Sequence, residues 1–151
     1  MTIGSQKGTV MALRAFLRHD DLFSDVPDDL LDTIIERGSE QQVPSGRELV
    51  RQDQSGGGLH VVLEGSADVM VNGKQVATLG PGDYFGEMSL IDKAPHSATV
   101  VSGPAGVKTF ILSPVTFQGL LDLSPHCDRV ALKILTRRVR RLEEAARINL
   151  A

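Results

Sequence analysis

The stretch GPGDYFGEMSL at residues 80–90, followed by PHSAT at residues 95–99, decides how this chain folds around its centre. Residues 80–83 form a turn sequence, because glycine accepts positive φ and proline presets the first turn position. This turn predicts the end of a strand. Residues 86–90 then have the composition of one helical turn, whose free backbone N–H groups attract an anion. Gly86 would let a phosphate approach the backbone closely.

The sequence around this stretch has the pattern of an antiparallel β domain. From Val43 to Leu112, short β-branched runs are separated by Gly, Pro, Asn and Asp at intervals of roughly ten residues, as in a sandwich or barrel. The clearest hairpin joins residues 67–71 to residues 75–79 across Asn72-Gly73, which tolerates the positive φ of a tight primed turn. Residues 55–58, SGGG, are predicted to be a flexible connection between strands.

Helices are predicted on both sides of the β block. Apolar spacing indicates a short helix at Val10–Leu17, and a second helix follows Pro27 and stops at Gly38. Ser113-Pro114 and Ser124-Pro125 each have the form of an N-cap followed by proline in the first turn. The last helix carries an apolar stripe at alternating spacings of three and four: Leu132, Leu135, Val139, Leu142 and Ala146.

Length and charge restrict the class of protein. A chain of 151 residues that is 41% hydrophobic can bury one core. We therefore expect a single domain over 1–151, with N-terminal helices at 8–38, a β-roll at 40–112 and C-terminal helices at 113–150. The formal net charge of -3 argues against a general nucleic-acid binder.

The cysteine content and hydropathy predict the compartment. Cys127 is the only cysteine, which excludes an intrachain disulfide and fits a reducing cytoplasm. We see no apolar signal core and no segment with the length of a membrane span. A cytoplasmic location is expected.

Two kinds of chemistry have no support in the sequence. His19, His60 and His126 are scattered, with no second histidine at metal-ligand spacing, so no metal site is expected. The serines lie in no nucleophile-elbow pattern, so Ser-His-Asp catalysis is not expected either. We predict that the chain is not an enzyme and needs no cofactor.

Taken together, the motifs resemble those of the cyclic nucleotide-binding domain family. The shared stretches stand in family order along most of the chain: LFSDVP at 22–27, PSG at 44–46, VVLEG at 61–65 and PGDYFGE at 81–87. The resemblance implies an α+β, mainly β fold: an antiparallel β-roll or jelly-roll barrel with short N-terminal helices, a phosphate-binding cassette helix and a long C-terminal helix. It implies cAMP or cGMP as ligand, bound by Phe85, Gly86, Glu87, Met88, Ser89, His96, Ser97 and Ala98.

Within this implied site the residues have different roles. Gly86 and the backbone amides of Met88 and Ser89 would hold phosphate oxygens, and Glu87 would accept hydrogen bonds from the ribose hydroxyl. Ser97 and Ala98 would meet the other edge of the phosphate. For Gly86 and Glu87 the alternative is a structural role, as a turn glycine and as a carboxylate that caps backbone N–H groups or pairs with an arginine.

His96 departs from the family, because it stands where the family has an arginine. Histidine offers at most two donors and is mostly neutral near neutral pH, whereas arginine is always charged. Loss of one charge-assisted hydrogen bond costs roughly 1.5–3 kcal/mol, or about one to two orders of magnitude in affinity. Affinity is therefore predicted to increase as the pH falls toward 6. The alternative is that His96 is a surface residue that contacts nothing.

Two functions remain open. The first is a cyclic nucleotide sensor whose final helix moves over the pocket. The second is a degenerate, non-binding member that acts as a dimerisation or protein-interaction module through that helix. The apolar stripe would form a homodimer or pack on the chain's own barrel, with the arginines of residues 137–141 as a solvated face. The resemblance does not extend to a DNA-binding domain in this chain, so we expect the output to depend on a partner.

Overall fold

The computed structural model describes residues 3–20, 22–86, 94–123 and 125–150. The element order follows the sequence prediction, with two helices, six strands and two further helices in the described residues. The helices are α1 (Ile3–His19), α2 (Asp28–Arg37), α3 (Pro114–Leu123) and α4 (Pro125–Leu150). The strands are β1 (Ser39–Val43), β2 (Glu48–Val50), β3 (Leu59–Val71), β4 (Lys74–Leu79), β5 (Tyr84–Phe85) and β6 (Thr99–Leu112).

The strands form one antiparallel sheet built on two long strands. Its order is β1-β6-β3-β4, with β2 also paired to β6 and β5 to β3. The pairing of β3 with β6 shifts register between Val62 and Glu64 and again between Gly65 and Ala67. Such irregularities bend a ladder and increase its twist. The mainly β roll is therefore confirmed, although the hydrogen-bonded path of the described strands ends at β1 and β4 and does not close into a barrel.

Local sequence signals account for most element boundaries. The predicted hairpin is confirmed: Val71 lies opposite Lys74, with φ of 51° at Asn72 and 79° at Gly73. The predicted stop of α2 is also confirmed, because the Gly38 N–H donates to the Ile34 carbonyl at 2.9 Å.

The two remaining helices show one confirmed cap and one extension. The Ser113 Oγ accepts a hydrogen bond from the Thr116 N–H at 3.2 Å, which is the predicted N-cap of α3. The N-terminal helix is longer than predicted, since α1 begins at Ile3 rather than near Val10.

Two hydrophobic clusters fill the domain. The helix-side cluster packs α1 to α4 against one face of the sheet and contains Leu17, Leu31, Phe110, Phe117, Leu120 and Ile134 among others. The smaller sheet-side cluster lies within the roll and consists of Val43, Val50, Val62, Ala67, Leu79, Phe85, Val100 and Val107. Strand β5 contributes Tyr84 to the first cluster and Phe85 to the second, because successive strand residues point to opposite faces.

The long helix α4 does not pack through its heptad stripe. Among the side chains of α4 that the structure describes, Val130 and Ile134 are buried, whereas Leu132, Val139 and Leu142 are 62%, 53% and 58% exposed. Leu132, Val139 and Leu142 therefore do not pack on the chain's own barrel, whereas Leu135 of the stripe is half-buried. A helix turns about 100° per residue, so the packed pair and the stripe occupy different sides of α4.

The arginine run of α4 is likewise not a single solvated face. The guanidinium carbon of Arg137 lies 5.1 Å from the centre of the Tyr84 ring. Arg140 is exposed. The predicted solvated face therefore holds for Arg140 but not for Arg137.

Candidate ligand-binding site

The predicted turn before the cassette is present and is held by its own polar groups. The Gly80 N–H donates to the Asp83 carboxylate at 2.9 Å, and the Asp83 N–H donates to the Gly80 carbonyl at 3.0 Å. The Asp83 carbonyl in turn accepts the Val62 N–H at 2.8 Å. This hydrogen-bonded turn leads into β5, in which Phe85 pairs with His60 of β3.

Gly86 follows β5 at a point where only glycine fits. Its φ is +82°, and a Cβ added there would lie 2.2 Å from the carbonyl oxygen of Gly58. Both the backbone conformation and the close approach therefore require glycine. This supplies the structural reason for Gly86, and its predicted contact with a phosphate stays a prediction. Glu87, Met88 and Ser89 lie outside the described residues.

His96 is buried, with 9% of its surface exposed. Its main chain pairs with the loop after β2: the His96 N–H donates to the Gln54 carbonyl at 2.9 Å, and the Asp53 N–H donates to the His96 carbonyl at 2.9 Å. Its Nε2 lies 2.6 Å from the carbonyl oxygen of Gly56. A carbonyl oxygen can only accept, so Nε2 carries a hydrogen in this contact. The alternative in which His96 contacts nothing is wrong.

The other two predicted residues of this segment differ from His96 in burial. Ser97 is exposed and Ala98 is half-buried, just before β6 begins at Thr99. Phe85, at the other end of the predicted site, is buried. The described part of the site thus consists of a stem at buried Phe85 and half-buried Gly86, and a buried anchor at His96.

A cavity of about 350 Å³ lies beside His96. It is lined by Glu48, Leu49, Val50, Arg51, Gln54, Ser55, Gly56, Gly57 and His96. Its size falls within the range of small-molecule pockets, roughly 300–1,000 Å³. Arg51 brings a cation to the lining and also pairs with Glu48 at 2.7 Å. The predicted position of the SGGG loop between two strands is confirmed. The sequence did not indicate that Ser55, Gly56 and Gly57 of this loop line a cavity.

His60 is the residue of this region that the sequence analysis missed. Its ring stacks on Phe85, with the ring centres 4.6 Å apart and the planes 9° from parallel. Its Nδ1 lies 3.3 Å from the Thr109 hydroxyl, and both residues are buried. Burial, with a smaller contribution from the charge of nearby His96, lowers the pKa of His60 to about 4. The sequence signal for a buried histidine was that His60 lies within an apolar run of strand residues. The sequence analysis had considered His60 only as a metal ligand.

The described residues contain neither a metal-binding cluster nor a membrane-spanning helix. In that part of the chain, His, Cys, Asp and Glu side chains form no group of three or more that could hold a metal ion. No helix of the described residues is both long enough and apolar enough to cross a membrane.

The described residues thus form an antiparallel β-roll between helices, with a small cavity between a glycine-rich loop and a buried histidine. The sequence model of the family described as Cyclic nucleotide-binding domain matches residues 40–122, which is more than half of the chain. The chain belongs to the cyclic nucleotide-binding domain family.

Known proteins similar to the chain include kinase regulatory subunits. It is 30% identical over 122 residues to the cAMP-dependent protein kinase regulatory subunit of Aspergillus fumigatus, covering 72% of this chain and 30% of that relative. The solved regulatory domain of Toxoplasma gondii PKA with cAMP is 30% identical, with a TM-score of 0.68 over 75% of this chain and 44% of that one.

A bacterial activator shares the fold at lower identity. The Thermus thermophilus Catabolite Activator Protein has a TM-score of 0.74 at 24% identity, over 84% of this chain and 62% of that one. This likeness shows the common fold. The chain spans less than two thirds of each of these three proteins.

Proposed function

We propose that the chain binds a cyclic nucleotide, cAMP or cGMP, beside His96 and acts as a non-catalytic regulatory module. The observation that carries the proposal is the buried His96 anchor at the wall of a cavity of about 350 Å³. The resemblance implies that His96 stands at the family's phosphate-binding arginine. Two similar proteins support the ligand class, since one is named a cAMP-dependent regulatory subunit and the other was solved with cAMP. The sole cysteine, Cys127, supports a reducing cytoplasm as the compartment.

The contact between His96 and Gly56 supports the pH dependence predicted from the sequence. A neutral imidazole that donates through Nε2 has an acceptor at Nδ1, and an acceptor repels a phosphate oxygen. The imidazolium donates through both nitrogens, so it can keep the Gly56 contact and also donate to a phosphate. We therefore propose that the protonated form of His96 is the form that binds the ligand more tightly.

The remaining roles are proposed from the resemblance. Glu87 would hold the ribose hydroxyl, and Gly86 with the amides of Met88 and Ser89 would hold the phosphate. Ser97 is exposed, which leaves its hydroxyl accessible to a ligand. Phe85, by contrast, is buried and stacked on His60, so we propose that it supports the cassette from beneath.

Calorimetric titration with cAMP and cGMP at pH 6 and pH 7.5 tests the proposal. Wild type is expected to bind saturably and about tenfold more tightly at pH 6, because an imidazolium would add a charge-assisted hydrogen bond to the phosphate. The His96→Gln variant keeps an N–H donor but does not titrate, so its affinity should not change with pH. His96→Arg should bind about 10 to 100 times more tightly than wild type at pH 7.5.

Two results would contradict these expectations in different ways. Identical wild-type affinities at both pH values would remove the role of His96 protonation and leave nucleotide binding intact. No wild-type binding, with binding gained by His96→Arg, would favour the degenerate, non-binding module over the sensor.

We also propose that α4 forms a homodimer through its stripe, because Leu132, Val139 and Leu142 are large, exposed and on a side of the helix away from the packed pair. Sedimentation of wild type should show a dimer, and Val139→Glu should sediment as a monomer. Val76→Glu is the matched control, since Val76 in β4 is 59% exposed and lies outside the helix. A monomeric wild type at high concentration would refute the dimer.

A further inference from the structure

A groove of about 470 Å³ separates α4 from the turn that precedes α2. Among the described residues that line it, four are cations, Arg129, Lys133, Arg137 and Arg140, and none is acidic. The chain as a whole carries a formal net charge of -3. This groove is therefore a local concentration of positive charge on an acidic protein.

Two of the four cations are held by the protein itself. The Lys133 ammonium pairs with the Asp25 carboxylate at 2.8 Å and lies 3.3 Å from the Ser24 hydroxyl. Arg137 lies over the Tyr84 ring. These contacts fix the wall of the groove.

The other two cations face solvent. Arg129 and Arg140 are exposed, and within the described ranges no carboxylate lies at ion-pair distance from either. They are separated by eleven residues of α4, or about 16 Å at 1.5 Å per residue. A single phosphate cannot bridge that distance, whereas an extended peptide covers it with about five residues at 3.3 Å each.

The rest of the lining suits a peptide as well. Leu132 borders the groove and is 62% exposed, and the methylene stems of arginine and lysine cover apolar surface while their charged ends stay in water. A segment with carboxylates and an occasional apolar side chain would satisfy both features. Leu132 also belongs to the dimer stripe, whereas Val139 lies roughly a third of a turn around the helix from the mean direction of the four cations. The four cations therefore stay accessible when Val139 contacts a second copy.

We propose that the groove between α4 and the turn at residues 22–26 binds an acidic peptide segment of a partner protein. The four cations attract the segment, and Arg129 and Arg140 pair with its carboxylates at the two ends of the groove. Nucleic acid fits less well, because Glu143 and Glu144 follow the cations on the same helix.

The probe is a fluorescein-labelled peptide of sequence Glu-Glu-Leu-Glu-Glu-Leu, titrated with the full chain and followed by fluorescence anisotropy without nucleotide. Saturable binding is expected at about 50 mM NaCl and weaker binding at about 200 mM, since salt screens exposed charges. The double variant Arg129→Glu/Arg140→Glu should weaken binding by at least about tenfold, as expected for reversing two interfacial charges.

The matched control is Arg47→Glu/Lys74→Glu, which changes the net charge by the same amount at exposed positions outside the groove. It should change affinity by less than about twofold, because distant exposed charges are largely screened. If the glutamate variant does not fold, Arg129→Gln/Arg140→Gln removes the same charges with less repulsion. Circular dichroism confirms the fold of each variant.

Four outcomes would overturn the proposal. One is the absence of saturable binding, and another is an equal loss in the groove and control variants. The third is tighter binding of a DNA duplex than of the peptide. A changed sedimentation of the groove variant with unchanged peptide binding would also overturn it, because the groove would then belong to an interface between copies. None of these readouts involves a cyclic nucleotide, so failure here is separate from failure of the proposed function.

Discussion

The two residues of strand β5 are anchored in different surroundings. Tyr84 lies in the helix-side cluster beneath Arg137 of α4, and Phe85 lies in the sheet-side cluster against His60. The helix-side surroundings are large and apolar, with one cation over the ring. The sheet-side surroundings are smaller and include a buried polar pair, His60 and Thr109. Strand β5 is therefore held from both faces of the sheet, by apolar packing and a cation on one face and by a stacked histidine on the other.

This difference predicts that the two clusters contribute differently to stability and to the site. An apolar cluster stabilises in proportion to the area that it buries and is insensitive to pH. A buried histidine must stay neutral, so its contribution depends on pH, and its stack on Phe85 fixes the orientation of one ring. We expect the helix side to contribute mainly to stability and the sheet side to stability and to the position of Gly86.

The largest expected effect on stability comes from removing the Phe85 ring from the sheet-side cluster. Phe85→Ala should lower the free energy of unfolding by about 3–5 kcal/mol, measured by urea denaturation, because a buried ring leaves a cavity. Phe117→Ala, in the helix-side cluster, should cost a similar amount, since Phe117 is also buried. Binding distinguishes the two sides. For the binding measurement we choose leucine variants, because leucine leaves a smaller cavity than alanine and these variants should remain folded. We expect cAMP affinity to fall in Phe85→Leu and to stay near wild type in Phe117→Leu. Equal losses of affinity would show that both clusters position the site.

A smaller effect follows from His60, whose pKa is about 4 in the folded protein against 6.5 for an unperturbed histidine. Between these values the unfolded chain binds a proton that the folded protein does not, so stability falls as the pH drops from 6.5 toward 4. From pH 7 to pH 5 the loss due to His60 should be about 2 kcal/mol. The difference between wild type and His60→Phe in urea denaturation at the two pH values isolates this loss from that of the carboxylates.

His19→Gln is the control for the His60 experiment, because His19 is an exposed histidine at the end of α1. Its pH dependence should follow that of wild type. If His60→Phe also follows wild type, the buried histidine does not determine the acid sensitivity of the sheet side.

The sequence predicted local turns and caps better than contacts between distant residues. Turn and cap signals act within a few residues, so Asn72-Gly73, Gly38 and Ser113 were predicted correctly. The partners of His60 and His96 come from residues 49 and 40 positions away, and no local signal indicates such contacts.

The two faces of α4 show the same limit. Periodicity identified an apolar stripe, but Val130 and Ile134, which are buried among the described side chains of α4, lie outside that stripe. A helix with apolar residues on more than one side does not reveal which side its own domain covers. The choice depends on the shape of the sheet and of the neighbouring helices, which follows from the whole fold.

The smallest expected effect tests the cation on the helix side. A cation over an aromatic ring contributes about 0.5–2 kcal/mol, so Arg137→Gln should lower the free energy of unfolding by about 1 kcal/mol. Arg147→Gln makes the same change at an exposed position later in α4 and should fall within about 0.5 kcal/mol of wild type. Urea denaturation of both variants gives the comparison. Because Arg137 is on α4 and Tyr84 directly precedes Phe85, a loss confined to Arg137→Gln would mean that the long helix and the stem of the site stabilise each other through this contact. Equal stabilities would mean that apolar packing alone joins them.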